Sequence, residues 1–107
     1  MNIIQEHIEA IRKLCQNYHV AELYVFGSVL TDRFSSVSDI DFLVQFSGVD
    51  PLEYFDNFMD LKEALETLLS RRVDLVEVQT LKNPILKRSI EREKKLLYGR
   101  ADSKMAV

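Results

Sequence analysis

The sequence has few of the residues that build covalent staples, metal-binding frameworks or flexible linkers. A single cysteine, Cys15, excludes an internal disulfide and fits a reducing compartment. With only two histidines beside it, a structural zinc site is not expected. Three glycines and two prolines leave no linker that would divide the chain. We therefore predict one domain over residues 1–99, followed by a frayed tail over 100–107.

Long apolar runs are also missing, which excludes a membrane-spanning helix of about 20 residues. The first residues carry neither a basic cluster nor an apolar stretch of the kind that a secretory signal needs, so we expect a cytoplasmic location and no membrane partner. The formal net charge of −3 argues against direct nucleic-acid binding.

Charge is distributed unevenly along the chain. Residues 1–81 hold 6 Lys/Arg against 14 Asp/Glu, whereas residues 82–107 hold 8 Lys/Arg against 3 Asp/Glu. The basic end is interpreted either as a solvated helix or as a face for an acidic partner or a phosphate.

Hydrophobic periodicity predicts an α/β (α+β) fold, in which helices pack on a small mixed β-sheet in the order α-β-(α)-β-α-β-α. Helices are predicted over 3–18, 50–70 and 83–98, and strands over 21–26, 39–46 and 72–78. Phe55, Met59 and Leu86 are predicted to face the core, and Gly99 is predicted to end the last helix.

The predicted topology brings polar residues together at one end of the sheet. A helical crossover joins the second and third strands, which makes them parallel, and the short connection before the second strand permits an antiparallel first pair. Gly27 and Ser28 then follow the first strand at the end where Asp39, Asp41 and Asp74 begin the other two.

These residue types suit phosphate and metal chemistry. Asp39 and Asp41 are two residues apart, so they share one face of a strand, and Asp74 interrupts an apolar strand. Two carboxylates ~4 Å apart repel by roughly 4 kcal/mol at an effective dielectric of 20, which Mg²⁺ or Mn²⁺ relieves. Two such ions ~3.5–4 Å apart serve nucleotidyl displacement. Gly27 lets a phosphate approach the backbone, and Ser28 adds a hydroxyl donor.

Ordinary structural roles remain open for the three acids. Asp39 would then cap a helix or a turn, Asp41 would be a surface strand residue, and Asp74 would pair with Arg71 or Arg72. The spacing counts against these roles, because Gly-Ser ten residues before Asp-x-Asp has a chance expectation of roughly one in a thousand.

The spacing also resembles a known signature. Phe26-Gly27-Ser28, ten intervening residues and then Asp39-Ile40-Asp41-Phe42-Leu43-Val44 resemble the motif of the DNA polymerase β-like nucleotidyltransferase superfamily. The small size and the segment Val73-Asp74-Leu75-Val76 are similar to its minimal nucleotidyltransferase (MNT) branch. The resemblance implies that Asp39, Asp41 and Asp74 are catalytic ligands of Mg²⁺, and that Gly27 and Ser28 contact the phosphates of ATP or another NTP.

For function, the resemblance implies transfer of a nucleoside monophosphate, AMP from ATP, to a hydroxyl of a partner protein. Many MNT proteins are antitoxins that modify a HEPN-type RNase toxin in this way. The alternative is a non-catalytic antitoxin that neutralises its partner by contact through apolar helix faces and the basic last helix. Arg33 is the only cation in the loop after Ser28, where many relatives carry more, and this keeps the alternative open. A third hypothesis, a small-molecule nucleotidyltransferase, lacks support because such enzymes generally carry an additional acceptor-binding domain. The oligomeric state stays open.

Overall fold

Four strands form a single mixed sheet in a computed structural model that describes residues 2–99. The strands are β1 (Val20–Phe26), β2 (Ile40–Phe46), β3 (Val73–Glu77) and β4 (Lys95–Gly99). Their order in the sheet is β3-β2-β1-β4, with β2 and β3 parallel and both other pairs antiparallel. The prediction of a small mixed sheet, with these directions for the first three strands, is confirmed.

The helices are α1 (Asn2–Glu6), α2 (Ile8–Asn17), α3 (Tyr54–Leu69) and α4 (Pro84–Glu93), and short 3₁₀ turns cover Gly27–Leu30 and Val78–Thr80. α2 and α3 contact each other and pack against the sheet. Within residues 2–99, no helix is both long enough and apolar enough to cross a bilayer.

The hydrophobic core lies between the helices and one face of the sheet. Alternate residues of β2 point into it because strand side chains alternate between faces. The core contains Ile4, Ile11, Cys15, Leu23, Val25, Ile40, Phe42, Val44, Leu61, Leu65 and Leu69, among others. Burial raises the pKa of the Cys15 thiol to about 12, so this cysteine is an inert packing residue.

The prediction of one continuous helix over 3–18 is wrong at His7, where α1 ends and α2 has not yet begun. The ring Nδ1 of His7 lies 2.9 Å from the carbonyl oxygen of Ile3, the acceptor that a continuing helix would use. The His7 amide instead donates to Ile4, one residue nearer. Competition for the Ile3 carbonyl therefore interrupts the helix.

The prediction that the last helix extends to Tyr98 is also wrong, because α4 ends at Glu93 and residues 95–99 form β4. β4 pairs with β1, which buries Leu97, and the Arg12 side chain donates to the Leu97 carbonyl at 3.1 Å. Gly99 is therefore a strand residue rather than a helix stop. Pairing with a central strand overrides the helical pattern of the sequence.

Three residues predicted to face the core are exposed. Phe55 and Met59 lie on α3, whose buried stripe is Leu61, Leu65 and Leu69. At about 100° per residue, Met59 lies nearly opposite Leu61, and Phe55 lies in the first turn before that stripe begins. Leu86 lies on α4, where Ile90 is the only buried residue, and it is exposed to solvent. The predicted tail over 100–107 lies outside the described residues.

Candidate active site

Gly27 directly follows β1 and packs against the side chain of Asp41. It has a positive φ of 83°, and a Cβ at this position would overlap the Oδ2 atom of Asp41. Both the backbone conformation and the close approach therefore require glycine. The turn continues through Ser28, whose carbonyl accepts from the amide of Thr31 at 2.9 Å. The Ser28 hydroxyl makes no hydrogen bond to any other residue in 2–99.

The three aspartates lie at the end of the sheet where β1 finishes and β2 and β3 begin, which we call the acidic end. Asp41 lies in β2, where it pairs with Phe26 of β1 on one side and with Asp74 of β3 on the other. Asp39 stands one residue before β2, and Ile40 between the two acids is fully buried. The sequence prediction that these remote segments meet at one end of the sheet agrees with this placement.

The electrostatics of the acidic end act mainly on Asp41. Partial burial, repulsion from Asp74 and repulsion from Asp39, in that order of size, together raise the pKa of this carboxyl from 3.8 to about 6. Asp39 and Asp74 are exposed to solvent. Negative charge at Asp41 is therefore unfavourable unless a cation compensates it.

The residue types at the acidic end are those that bind a hard divalent cation, although their side chains do not converge on one point. Within residues 2–99, no three carboxylates, imidazoles or thiols are grouped closely enough to hold an ion as they stand. Asp39 and Asp74 are exposed, so turning them towards Asp41 displaces no packed neighbour. Carboxylate oxygens are the ligands that Mg²⁺ and Mn²⁺ prefer, and a bound cation would also compensate the unfavourable negative charge of Asp41.

The ion pair considered for Asp74 is not observed in residues 2–99. Three ion pairs occur in the described part of the chain, and they join Arg12 to Glu9, Lys62 to Glu66 and Lys94 to Glu91. Asp74 takes part in none of them. Arg71 instead donates to the carbonyls of Ser35 and Ser38, a role that sequence reasoning missed because a bond to backbone leaves no pattern in the side chains.

The raised pKa of Asp41 predicts how stability depends on pH without divalent metal. The folded chain keeps this proton more readily than the unfolded chain does, so rising pH between about 4 and 6 lowers the free energy of unfolding. The asparagine of Asp41→Asn cannot ionise, so the free energy of unfolding of this variant should not fall in this way as the pH rises. After discounting for solvent screening, we expect the variant to be more stable than the wild type by about 1 kcal/mol above pH 6.

Urea unfolding at pH 4, 5, 6 and 7.5 in a chelator measures that difference. The two proteins should be nearly equal at pH 4 and separate as the pH rises. Added Mg²⁺ should stabilise the wild type and not the variant. A difference that is constant over the whole range would contradict the assigned environment of Asp41.

The family model of the polymerase beta nucleotidyltransferase domain matches residues 9–103, which include every candidate site residue. The chain belongs to the polymerase beta nucleotidyltransferase family. This membership confirms the resemblance found in the sequence and the prediction of an enzyme that is a nucleotidyltransferase.

Two relatives span most of this nucleotidyltransferase. The protein adenylyltransferase MntA of Thermococcus cleftensis is 39% identical over 87 residues, which cover 77% of this chain and 85% of MntA. A Methanocaldococcus jannaschii protein, provisionally named a protein adenylyltransferase, is 37% identical over 103 residues, or 92% of this chain and 99% of the relative. The nucleotidyltransferase is therefore a homologue of MntA-type proteins.

Solved structures share the fold of this nucleotidyltransferase. One, provisionally identified as a minimal nucleotidyltransferase, has a TM-score of 0.71 and 35% identity, over 86% of this chain and 90% of the other. A second contains the tri-AMPylated HEPN toxin of Shewanella oneidensis in complex with an MNT antitoxin. It matches with a TM-score of 0.65 and 23% identity, over 95% of this chain and 77% of the other. At that identity, the likeness shows a common fold.

Proposed function

We propose that this nucleotidyltransferase transfers AMP from ATP to a hydroxyl of a partner protein, and that the partner is a HEPN-type toxin which the transfer neutralises. Two contacts of Asp41 support the proposal most directly. Its side chain packs against Gly27, and its backbone pairs with that of Asp74 on the neighbouring strand. These contacts bring Gly27, which we propose lies against a phosphate, next to Asp41 and the strand position of Asp74. MntA of Thermococcus cleftensis, a named protein adenylyltransferase, adds the acceptor class.

In the proposed reaction, the acceptor oxygen attacks the α-phosphorus of ATP in line. The bond from that phosphorus to the bridging oxygen of the β-phosphate breaks, and pyrophosphate leaves. Asp74, which is exposed at the acidic end, accepts the proton of the attacking hydroxyl. Gly27 and Ser28 hold the phosphates against the end of β1.

Asp39, Asp41 and Asp74 are proposed to hold the divalent cations, Mg²⁺ or Mn²⁺. One ion would bind all three carboxylates and the other would bind Asp39 and Asp41. Bound there, the metal supplies positive charge that lowers the pKa of the acceptor hydroxyl and neutralises the triphosphate. Asp41 is central to both sets because it lies between the other two and already carries unfavourable charge.

Mass spectrometry of the partner tests the proposal. The protein encoded by the neighbouring gene is incubated with the chain, ATP and Mg²⁺, and its intact mass is measured. We expect an increase of one or more AMP units, with loss of the increase in a chelator. An unchanged mass despite formation of a stable complex would contradict the enzymatic role.

Exposed apolar residues favour the second candidate, an antitoxin that acts by contact. Phe55 is 71% exposed on α3, Leu52 is 93% exposed just before it, and Ile85 is 81% exposed on α4. Next to Phe55 lies a groove of about 500 Å³, whose walls include Phe58, Leu75 and Val76. An exposed aromatic side chain beside an apolar groove is typical of surfaces that bind another protein.

We expect Phe55→Ala to weaken binding of the partner at least about tenfold, because exposed aromatic side chains beside a groove often anchor an interface. The stability of the chain should change by less than about 0.5 kcal/mol, since the ring is exposed. Calorimetric titration of the partner measures the affinity. Glu63→Ala, an exposed change on the same helix, serves as the control.

Unchanged affinity in Phe55→Ala would exclude the start of α3 as the partner surface. A toxin rescue assay then separates the two candidate functions. A contact antitoxin still protects cells when Asp39, Asp41 and Asp74 are all replaced by Asn, whereas an enzyme does not.

A further inference from the structure

Arg71 connects the two segments that carry the candidate acids. It lies just before β3, two residues ahead of Val73, and its side chain reaches the loop that precedes β2. The guanidinium donates to the carbonyl oxygen of Ser38 at 2.6 Å and to that of Ser35. It also lies over the ring of Phe34, 4.4 Å from the centroid. One side chain thus makes three contacts with a single loop.

The loop is shaped to present both carbonyls to one guanidinium. The amide of Ser38 donates to the Ser35 carbonyl at 3.2 Å, and the amide of Ser35 donates to the Ser38 hydroxyl at 3.1 Å. These bonds close a turn over residues 35–38. Asp39 follows this turn directly, and the Ile40 amide then donates to the Arg72 carbonyl at 3.0 Å. The position of Asp39 is therefore determined by contacts on both of its sides.

Only arginine fits this arrangement. Its planar guanidinium offers several donors in a fixed fork and a flat face for an aromatic ring, whereas lysine offers a single ammonium. Arg71 forms no ion pair with an aspartate in residues 2–99, where the three ion pairs involve other residues. Its charge is directed at backbone carbonyls, which leaves the carboxylates of the acidic end available.

We propose that Arg71 is a positioning residue, which holds Asp39 beside Asp41 and Asp74 so that the three acids bind a divalent cation. This inference rests on the proposed function, in which these acids are the metal ligands. Without the guanidinium, the turn over residues 35–38 loses its hydrogen bonds to the segment just before β3, and binding of the cation must then order Asp39 at a cost in conformational entropy.

The sign of the expected effect distinguishes positioning from simple electrostatics. Arg71 is a cation near a proposed cation site, so removal of its charge alone would strengthen metal binding. Loss of positioning would weaken it. Arg72 provides a matched control, because it carries the same charge one residue later and uses only its backbone carbonyl towards Ile40 in the described contacts.

The experiment measures Mn²⁺ binding to the whole chain by electron paramagnetic resonance of the free ion. We expect Arg71→Ala to weaken binding about tenfold or more, as is usual when a residue that orients metal ligands is removed. Arg71→Lys, which keeps the charge but not the fork, should also weaken binding. Arg72→Ala should bind as the wild type does or slightly more tightly.

Amide hydrogen exchange without metal gives a second measurement. Exchange in a peptide covering residues 35–40 should be faster in Arg71→Ala and unchanged in Arg72→Ala. Wild-type Mn²⁺ affinity in both Arg71 variants would overturn the inference. Wild-type protein that binds Mn²⁺ but transfers no AMP would overturn the proposed function and leave the role of Arg71 standing.

Discussion

Asp41→Asn should lower AMP transfer by at least about 1000-fold, which corresponds to roughly 4 kcal/mol of transition-state stabilisation. Asp41 lies between Asp74 across the β2–β3 pair and Asp39 two residues earlier, so both proposed metal positions share it. An amide of the same shape carries no charge and binds divalent cations far less well. Transfer of radiolabelled AMP to the partner, measured at saturating ATP and Mg²⁺, gives the rate.

Asp32→Asn is the matched control for this prediction. Asp32 is an exposed aspartate in the loop before β2, and the same change of charge there should leave transfer within about twofold, as for most exposed positions. Circular dichroism should show that both variants fold. An Asp41→Asn protein with normal transfer would refute the assignment of this residue.

Gly27→Ala has the second largest expected effect. The new Cβ would overlap the Asp41 carboxylate, and the residue would also have to keep a φ of 83°. We expect transfer to fall at least about 100-fold, because either Gly27 or Asp41 has to move away from the position that the reaction needs. Steady-state transfer and urea unfolding measure activity and stability.

Gly48 provides the control for this prediction, because substitution there tests backbone strain without steric overlap. Gly48 has a similar φ of 75°, but a Cβ there would meet no atom within 4 Å. Gly48→Ala should therefore cost only about 1–2 kcal/mol of stability for the left-handed conformation, with transfer unchanged. Equal losses of transfer in the two variants would mean that strain alone, and not the approach to Asp41, explains the effect.

The sequence was sufficient to predict the arrangement of the acidic end. A crossover helix between two strands dictates that they run parallel, so the starts of β2 and β3 had to lie at the same end of the sheet. Alternation along β2 then put Asp39 and Asp41 on one face, with Ile40 in the core. These steps depend on backbone geometry and on local patterns, which a single sequence contains.

The features that sequence reasoning missed depend on contacts between remote segments. Leu96 and Leu97 are compatible with a helix, and only pairing with β1 makes them part of a strand. The contacts of Arg71 are to backbone carbonyls, which are the same for every residue type. The exposure of Phe55 depends on which side of α3 meets the sheet, and exposed apolar residues on the other side look like a second core stripe in the sequence.

The place of β4 beside β1 affects how the protein is made. β1 is translated early, yet one of its two neighbours consists of residues 95–99 at the far end of the described chain. While the ribosome is still adding those residues, β1 has no partner strand on one of its two sides. A nascent chain therefore cannot complete the four-stranded sheet until residues 95–99 have left the ribosome, although the other three strands are made well before them.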